Sequence, residues 1–521
     1  MSFPILSLLI FLPILGGIAL LGVSNKKDVG SVKVMALMIS ILELIITLPL
    51  LFAFDKTTPA MQFVERHDWI SLFNIEYYLG VDGIAILFIP LSALITILCI
   101  LVSWNSIQTK VKEFFVAMLM LEGAMIGVFC SVDFFLFYIF WEAMLIPMFL
   151  LIGVWGGPNR IYAATKFFLY TLVGSLLMLV GIITLYIKGG NTFDILALSQ
   201  LDLPVGTQLI LFWAFFAAFA VKVPMWPVHT WLPDAHTEAP AAGSVVLAGI
   251  LIKMGAYGFL RFSMPILPEA TSSMMMPMIV LSLIGIVYGG IICLAQTDLK
   301  RLIAYSSVSH MGFVTLGIFA LNTQSMEGGI LQMINHGVVT GALFLGIGMV
   351  YERTHTRKIS DYGGLATNMP IFASFFLLFT LAAVGLPGTN GFIGELLILL
   401  GSFLTRPWVA LIAASGLIIG AWYMLWLYQR IFFNPVNSKW DAIKELELRE
   451  ILTLMPMVIL IFWIGLFPNS LLSYIHVSVS HLLEQVTGNP EGVASGVQLA
   501  VDHALDAAVQ GAHHVQQHVS H

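Results

Sequence analysis

Fourteen apolar runs of about twenty residues follow one another along the sequence, and they decide what this chain can fold into. A helix needs about 20 apolar residues to cross the hydrocarbon core of a bilayer. Hydrophobic residues make up 59% of the 521 residues and charged residues only 10%, whereas soluble domains carry roughly 25% charged residues. The predicted spans cover residues 3–23, 31–53, 80–103, 113–131, 133–154, 163–187, 207–222, 240–262, 273–296, 301–321, 327–350, 370–404, 407–432 and 451–474.

This composition predicts an all-α polytopic membrane protein with about 14 transmembrane helices. It excludes collagen-like, disordered, nucleic-acid-binding and disulfide-scaffold classes, because none of them carries so much apolar sequence. The three cysteines, Cys99, Cys130 and Cys293, all fall in apolar runs without Cys-x-x-Cys spacing. We therefore expect neither a disulfide framework nor an iron–sulfur site in this chain.

The distribution of lysine and arginine predicts the orientation of the spans. With the N-terminus outside, alternate loops place 16 of the 23 basic residues on one side of the membrane and 5 on the other. The remaining two, Lys222 and Lys253, fall inside predicted spans. Because short cytoplasmic loops carry the excess of basic residues, both termini are predicted on the outer side.

The chain matches itself weakly at an offset near 165 residues. Five predicted spans separate the members of each match, so the two copies point in opposite directions, as in many secondary transporters. Chance similarity between glycine-rich apolar helices is the alternative. The matching pairs are Asp133 and Asp298, Gly174 and Gly341, Gly181 and Gly348, and Lys222-Val-Pro224 and Gly385-Leu-Pro387.

These boundaries predict five segments. Residues 1–110 hold helices 1–3, residues 111–265 form the first inverted repeat of helices 4–8, and residues 270–434 form the second repeat of helices 9–13. Residues 435–480 hold a cytoplasmic loop and helix 14, and residues 481–521 form a polar tail rich in histidine. The tail histidines match no closed metal site, so a flexible terminal segment is favoured over a metal site.

Proline and glycine interrupt the seventh and twelfth predicted spans. Proline removes a backbone donor and clashes with the preceding turn. Within a membrane, a broken helix persists only where protein or water satisfies the freed backbone groups, so each break predicts a hydrated cavity. The residues are Pro224, Pro227 and Pro233 after Lys222, and Pro387, Gly388 and Gly391 in the twelfth span.

Ionisable side chains occur at unusual depth in the predicted spans. A charge at the centre of a membrane helix costs about 2.5–3.5 kcal/mol even on the most lenient scale, so these residues are candidates for function. For each of them, the alternative is a structural ion pair or a satisfied core histidine. The candidates are Glu43, Glu122, Glu142, Lys222, Lys253 and Glu395, with His229, His236, His310 and His336.

Two groups of carboxylates receive a structural interpretation. Glu43 lies outside both predicted repeats, which favours a structural role. Asp133 and Asp298 each open a predicted helix, and we expect them to be N-caps that accept from free backbone N–H groups.

The remaining residues suit proton movement. A low-dielectric site disfavours the charged form of lysine, and a nearby carboxylate restores it. A pair such as Glu142 and Lys222 can therefore hold or release a proton as the two groups approach or separate, and histidine can relay it. The sequence has no dinucleotide-binding glycine motif after a strand and no Walker loop. We therefore expect the energy source to lie outside this chain.

Four motifs resemble the antiporter-like subunits of respiratory complex I, in a family that also includes the large Mrp-type cation/proton antiporter subunits and membrane hydrogenase subunits. The resemblance runs from about residue 1 to residue 475. It implies fourteen helices, with helices 4–8 and 9–13 as inverted repeats and helices 7 and 12 interrupted. The motifs are Gly80-Val-Asp82-Gly83, Phe140-Trp141-Glu142-Ala143-Met144, the stretch from Val221-Lys222 to His236, and the stretch from Tyr305 to Gly312.

The resemblance also implies roles for the buried residues. Glu395 stands where the sister subunits L and N typically carry lysine, which separates this chain from them. The implied proton relay consists of Glu142 and Lys222 as a modulating pair, Lys253 as the central relay, Glu395 facing an outward half-channel, His229, His310 and His336 along a hydrophilic axis, and Glu122 as a weaker member.

The resemblance implies a chain without cofactors that works inside NADH-quinone oxidoreductase. FMN, iron–sulfur clusters and quinone are expected in partner subunits, and subunits L and N are the expected neighbours in the bilayer. The location implied is the bacterial cytoplasmic membrane, with both termini periplasmic. The rival hypotheses are a subunit of an Mrp-type antiporter or a membrane hydrogenase, and a membrane scaffold whose charges only dock neighbours.

Overall fold

The computed structural model describes residues 3–23 and 29–488, and α-helices dominate it. Twelve helices among these residues are long and apolar enough to cross a membrane. The helices are α1 (Ile5–Leu21), α2 (Val29–Ala53), α3 (Phe88–Ser106), α4 (Val111–Cys130), α5 (Phe134–Trp155), α6 (Arg160–Lys188), α7 (Val205–Lys222), α8 (Trp231–Glu238), α9 (Ala241–Ile266), α10 (Pro268–Leu294), α11 (Leu299–Phe319), α12 (Thr323–Thr354), α13 (Pro370–Val384), α14 (Asn390–Thr405), α15 (Pro407–Phe433), α16 (Leu448–Leu466) and α17 (Asn469–Thr487).

Two strands were missed by the sequence analysis, which assigned only helices. Strand β1 (Gln62–Ile70) pairs antiparallel with β2 (Ile75–Val81) in a hairpin between α2 and α3. Asn74 adopts the left-handed conformation at the turn, with φ of 50°, which asparagine tolerates better than most residues. The predicted span 80–103 was therefore wrong at its start, because its helix begins only at Phe88. We call the end of the bundle that carries β1 and β2 the hairpin end. The opposite end, which carries Lys300 and Arg357, is the basic end.

The last predicted span, 451–474, was also wrong in extent. Helix α16 ends at Leu466, and the separate helix α17 begins at Asn469. The break has a local cause, since a residue that precedes proline is disfavoured in the helical region. Phe467, which precedes Pro468, has φ of −127° and ψ of 56°.

Helix α17 packs across the hairpin end. The backbone N–H of Gly83 donates to the Ser478 hydroxyl at 3.0 Å. A β-carbon at Gly83 would lie 1.9 Å from the carbonyl oxygen of Tyr474, so only glycine permits this approach. The Gly80-Val-Asp82-Gly83 motif therefore serves as a docking point for the last helix.

The N-cap predictions for Asp133 and Asp298 are confirmed. The Asp133 carboxylate accepts from the backbone N–H of Leu136 at 2.9 Å and from that of Glu76 on β2 at 3.1 Å. The Asp298 carboxylate accepts from the backbone N–H of Arg301 at 3.1 Å. Asp133 therefore also joins the hairpin to α5.

The chain breaks just after the seventh predicted span and within the twelfth. Helix α7 ends at Lys222 and α8 begins at Trp231. The Trp231 indole N–H donates to the carbonyl of Val221 at 2.8 Å, which satisfies a backbone group that the break would otherwise leave free. Helix α13 ends at Val384 and is capped by Gly385, which has φ of 79°, a conformation that favours glycine.

Helices α9, α11 and α12 form the interior of the bundle. The apolar windows of α9 and α12 are entirely enclosed by other parts of the chain, whereas only 28% of the corresponding window of α2 is buried. Helix α9 contains two π-helical turns, Leu247–Leu251 and Phe259–Ser263, on either side of Lys253. Such turns widen a helix locally and are frequent at functional sites.

Candidate functional site

Lys253 lies at the centre of the bundle. Its side chain is fully buried, and its ammonium donates to the carbonyl of Ala248 in the preceding π-helical turn. The Lys253 Nζ atom also lies 2.7 Å from Nδ1 of His336 on α12. The structure therefore places two of the sequence-predicted residues in direct hydrogen-bonding contact.

The contacts continue from His336 to Glu395. The rings of His336 and His310 lie 5.9 Å apart between centroids, and Nδ1 of His310 lies 2.9 Å from Oε1 of Glu395 on α14. The Gln332 amide donates to the same carboxylate oxygen at 3.0 Å. Lys253, His336, His310 and Glu395 thus form one line of titratable groups, which we call the central line; His310, at 12% side-chain exposure, is its partly buried member.

The helix break at 385–389 creates the space around Glu395. A β-carbon at Gly394 would lie 2.3 Å from the Oε1 atom of Gln332, and one at Gly385 would lie 3.4 Å from the Glu395 carboxylate. The amide of Asn335 donates to the carbonyl of Asn390 at 2.8 Å, which ties the first turn of α14 to α12. The glycines therefore leave room for the amides that hold Glu395.

Sequence reasoning missed the two amides, Gln332 and Asn335. Both are buried on α12, and Gln332 precedes His336 by four residues. Residues four apart lie on the same face of a helix. The four-residue spacing from the candidate His336 could have indicated Gln332 as a neighbour on the same helix face.

Glu142 and Lys222 are brought near each other but not into contact. The Lys222 ammonium lies 5.0 Å from the centre of the Trp141 ring, and within the described residues it has no hydrogen-bond partner. Glu142 Oε1 is likewise without a partner in that part of the chain. The two charges interact through space, and the polar neighbours of Glu142 are Tyr138 and Ser175. A small shift of either side chain would change their interaction strongly, because Coulomb energies in a low dielectric fall with separation.

His229 and His236 lie in aromatic surroundings near the first break. The ring of His229 meets that of Tyr288 edge-on at 5.3 Å, and His236 stacks on Phe344 at 4.7 Å with an interplanar angle of 3°. Among the described residues, His236 has no hydrogen bond to its ring nitrogens, and the backbone of Pro227 lies beside the ring of His229. Both rings therefore keep a nitrogen able to accept a proton.

Lys300 was missed because the sequence analysis placed it in a basic loop. It is 4% exposed, and its ammonium donates to the carbonyl of Ala239 at 2.6 Å. Lys300 interacts electrostatically with Arg357 and Glu238. Lys300 also interacts electrostatically with His236. Lys300 thus lies between the charged groups of the basic end and the buried histidine.

Glu122 is not brought to the central line. It is fully buried on α4, and its Oε2 atom accepts from the Ser40 hydroxyl on α2 at 3.2 Å. Thr96 on α3 is its other polar neighbour, and Glu43 on α2 interacts with it electrostatically. Glu122 and Glu43 therefore form a group of their own.

Residues 131–420 match the family described as NADH:quinone oxidoreductase/Mrp antiporter, transmembrane. The chain is 49% identical to NADH-quinone oxidoreductase subunit M of Rhodobacter capsulatus, over 92% of this chain and 96% of that protein. It is 48% identical to NADH-ubiquinone oxidoreductase chain 4 of Chondrus crispus, over 91% of this chain and 96% of that protein.

Solved structures resemble the fold closely. A chain of respiratory complex I from Thermus thermophilus with bound NADH matches with a TM-score of 0.85 and 31% identity, over 92% of this chain and 99% of that chain. A chain of the Mrp complex from Dietzia matches with a TM-score of 0.82 over 95% of this chain and 100% of that chain. The latter identity is 18%, so that likeness shows the fold alone.

Proposed function

The chain belongs to the NADH:quinone oxidoreductase/Mrp antiporter family, and from this premise we propose that it is the proton-translocating, antiporter-like membrane subunit of respiratory complex I that corresponds to subunit M. The observation that carries the proposal is the near-complete alignment at 49% identity with a protein of that name. The alternative, an Mrp-type antiporter subunit, is supported by fold similarity at 18% identity. The complex I assignment is therefore favoured.

We further propose that the helices make fourteen spans, with α7–α8 and α13–α14 each counted as one interrupted span. Helices α4–α9 would then form the first inverted repeat, and α10–α15 the second. In support, each proposed repeat contains one broken helix that ends or begins near a candidate residue, Lys222 in the first and Glu395 in the second. Helix α17 would lie outside the membrane-spanning set.

In this proposal, the protons move along the buried side chains. Glu142 approaches or leaves Lys222 and so decides whether the lysine holds its proton. Lys253 passes protons through His336 and His310 to Glu395. The contact between Lys253 and His336 is 2.7 Å, and the contact between His310 and Glu395 is 2.9 Å. His229 would serve the first half of the path and Glu395 would release protons outward.

The energy would come from neighbouring subunits. We propose that FMN, iron–sulfur clusters and quinone are bound by partner subunits, that this chain has no redox centre of its own, and that subunits L and N flank it. Quinone reduction elsewhere would then move charges or helices that act on Glu142. The chain would reside in the bacterial cytoplasmic membrane with the hairpin end and both termini on the periplasmic side.

Replacement of Glu142 by alanine tests the modulating pair. Without the Glu142 carboxylate, the buried Lys222 ammonium loses its counter-charge, so we expect loss of most, but not all, NADH-driven proton pumping and coupled quinone reduction. Both rates are measured in membranes and normalised to the amount of the subunit. Glu269→Ala, at an exposed glutamate, is the matched control. Wild-type rates in Glu142→Ala with normal assembly would disprove the role.

A series at Glu395 tests whether the end of the central line must ionise. Glu395→Gln keeps the size and can still accept from Gln332, but it cannot ionise, so pumping should drop sharply. Glu395→Asp keeps the carboxylate, and activity should largely survive. Glu395→Lys should retain partial activity, because the sister subunits that this chain resembles carry lysine there. Equal pumping by the Gln and Asp variants would show that the outward relay lies elsewhere.

Labelling of single cysteines tests the orientation. The 16-to-5 asymmetry of basic residues predicts that Lys358→Cys reacts with a membrane-impermeant maleimide only from the cytoplasmic side. Leu72→Cys, at the 82% exposed tip of the hairpin, should react only from outside. The native cysteines are buried and should give little background. The reverse pattern would overturn the proposed topology.

A further inference from the structure

A second pair of titratable groups lies away from the central line. Glu43 on α2 and Glu122 on α4 are both 0% exposed. Ser40, three residues before Glu43 and on the same face of α2, donates to Oε2 of Glu122 at 3.2 Å, so the two carboxyls lie near each other. Both carboxylate oxygens of Glu43 and the Oε1 atom of Glu122 lack a hydrogen-bond partner among the described residues. Three of the four carboxylate oxygens are therefore buried without a hydrogen-bond donor, which is rare in native proteins.

Within helices α1–α4, no cation pairs with the two carboxyls. The sequences of α1 and α3 contain no lysine, arginine or histidine. The lysines of α2 and α4, Lys33 and Lys112, each lie ten residues from the glutamate on the same helix, which is about 15 Å at 1.5 Å per residue.

The ammonium groups of these lysines are also engaged elsewhere. Lys33 donates to the carbonyl of Trp104 at 2.5 Å, and Lys112 donates to the carbonyl of Leu21 at 3.0 Å. The neighbours of the pair on α3 are neutral, namely the Thr96 hydroxyl and the Cys99 thiol.

Two adjacent carboxyls in such surroundings cannot both be ionised. Burial disfavours the charged form of each, and like charges disfavour each other. A protonated carboxyl, by contrast, gains one O–H donor and keeps an acceptor, so one proton placed between the two groups supplies the donor that their oxygens lack. A hydrogen bond from a carboxyl to a carboxylate is among the stronger kinds in proteins.

We propose that Glu43 and Glu122 form a proton-sharing carboxyl pair, a proton-binding site of this chain that is separate from the central line. Glu43 lies on the inner face of α2. The outer face of the same helix is exposed, with Leu42 and Ile45 47% and 54% exposed. On the inner side, α3 packs against α2, α4 and α9, and α9 also touches α4. A change of charge at the pair would therefore act on Lys253, which α9 carries, through this packing.

Labelling with dicyclohexylcarbodiimide in the assembled complex tests the proposal. This apolar reagent needs a protonated carboxyl: the acid proton goes to a carbodiimide nitrogen, the carboxylate oxygen adds to the central carbon, and the acyl group then migrates to nitrogen as a stable N-acylurea. At about pH 8, an ordinary exposed glutamate with pKa about 4.3 is protonated to only about one part in 5,000. Mass spectrometry should find the adduct on Glu43 or Glu122, and none on the exposed Glu113 of the same helix α4.

Two matched variants test whether the carboxyls face each other. Glu43→Gln brings no positive charge to the site, so burial should keep Glu122 protonated and its adduct should persist at about pH 8. Glu43→Lys places a cation beside Glu122 and should remove its proton, which lowers the adduct yield at Glu122 at least tenfold. An unchanged yield in Glu43→Lys would overturn the pairing. If Glu43→Lys does not assemble, labelling of the wild-type complex decides alone.

Two results in the wild-type complex would overturn the proposal. The first is the absence of an adduct on both Glu43 and Glu122 while other buried carboxyls of the complex are labelled. The second is protection by sodium chloride relative to choline chloride, which would mean that a metal cation rather than a proton neutralises the pair. Equal labelling in the two salts is the result that we expect.

Discussion

The cost of placing charge in a low-dielectric interior is the constraint on which this structure depends. An ionisable side chain at the centre of a bilayer is expensive unless protein encloses it. The chain meets this constraint by surrounding α9, α11 and α12, which carry Lys253, His310 and His336, with helices that face lipid. Enclosure also makes each charge sensitive to its neighbours, because Coulomb interactions strengthen as the dielectric constant falls.

The broken helices follow from the same constraint. A break exposes backbone groups that lipid cannot satisfy. Here the interior side chain of Trp231 satisfies the carbonyl of Val221, and Asn335 ties the first turn of α14 to α12. The side chains that hold the chain at the two breaks therefore lie close to the titratable residues. Gly385 and Gly394 complete this arrangement by leaving room for Gln332 beside Glu395.

Much of this architecture could be predicted from the sequence, because hydropathy, proline positions and buried charges are local signals. The N-caps Asp133 and Asp298 followed from their position before apolar runs. The hairpin did not, because its twenty residues are short beside the dominant helical signal. Lys300 looked like a loop residue, and only the tertiary packing of α8 against α11 buries it. The proposed pairing of Glu43 with Glu122 joins two residues that are 79 positions apart in sequence, and no single-sequence pattern encodes it.

The central claim is that a buried relay through Lys253 carries protons in this chain. The most direct test compares the number of protons pumped per electron in liposomes that contain the complex with wild-type subunit or with Lys253→Met, which keeps the apolar stem of the side chain but cannot be protonated. Lys358→Met, at an exposed lysine, is the control. The account predicts a lower proton-to-electron ratio and slower quinone reduction for Lys253→Met alone. An unchanged ratio in the fully assembled variant would contradict it.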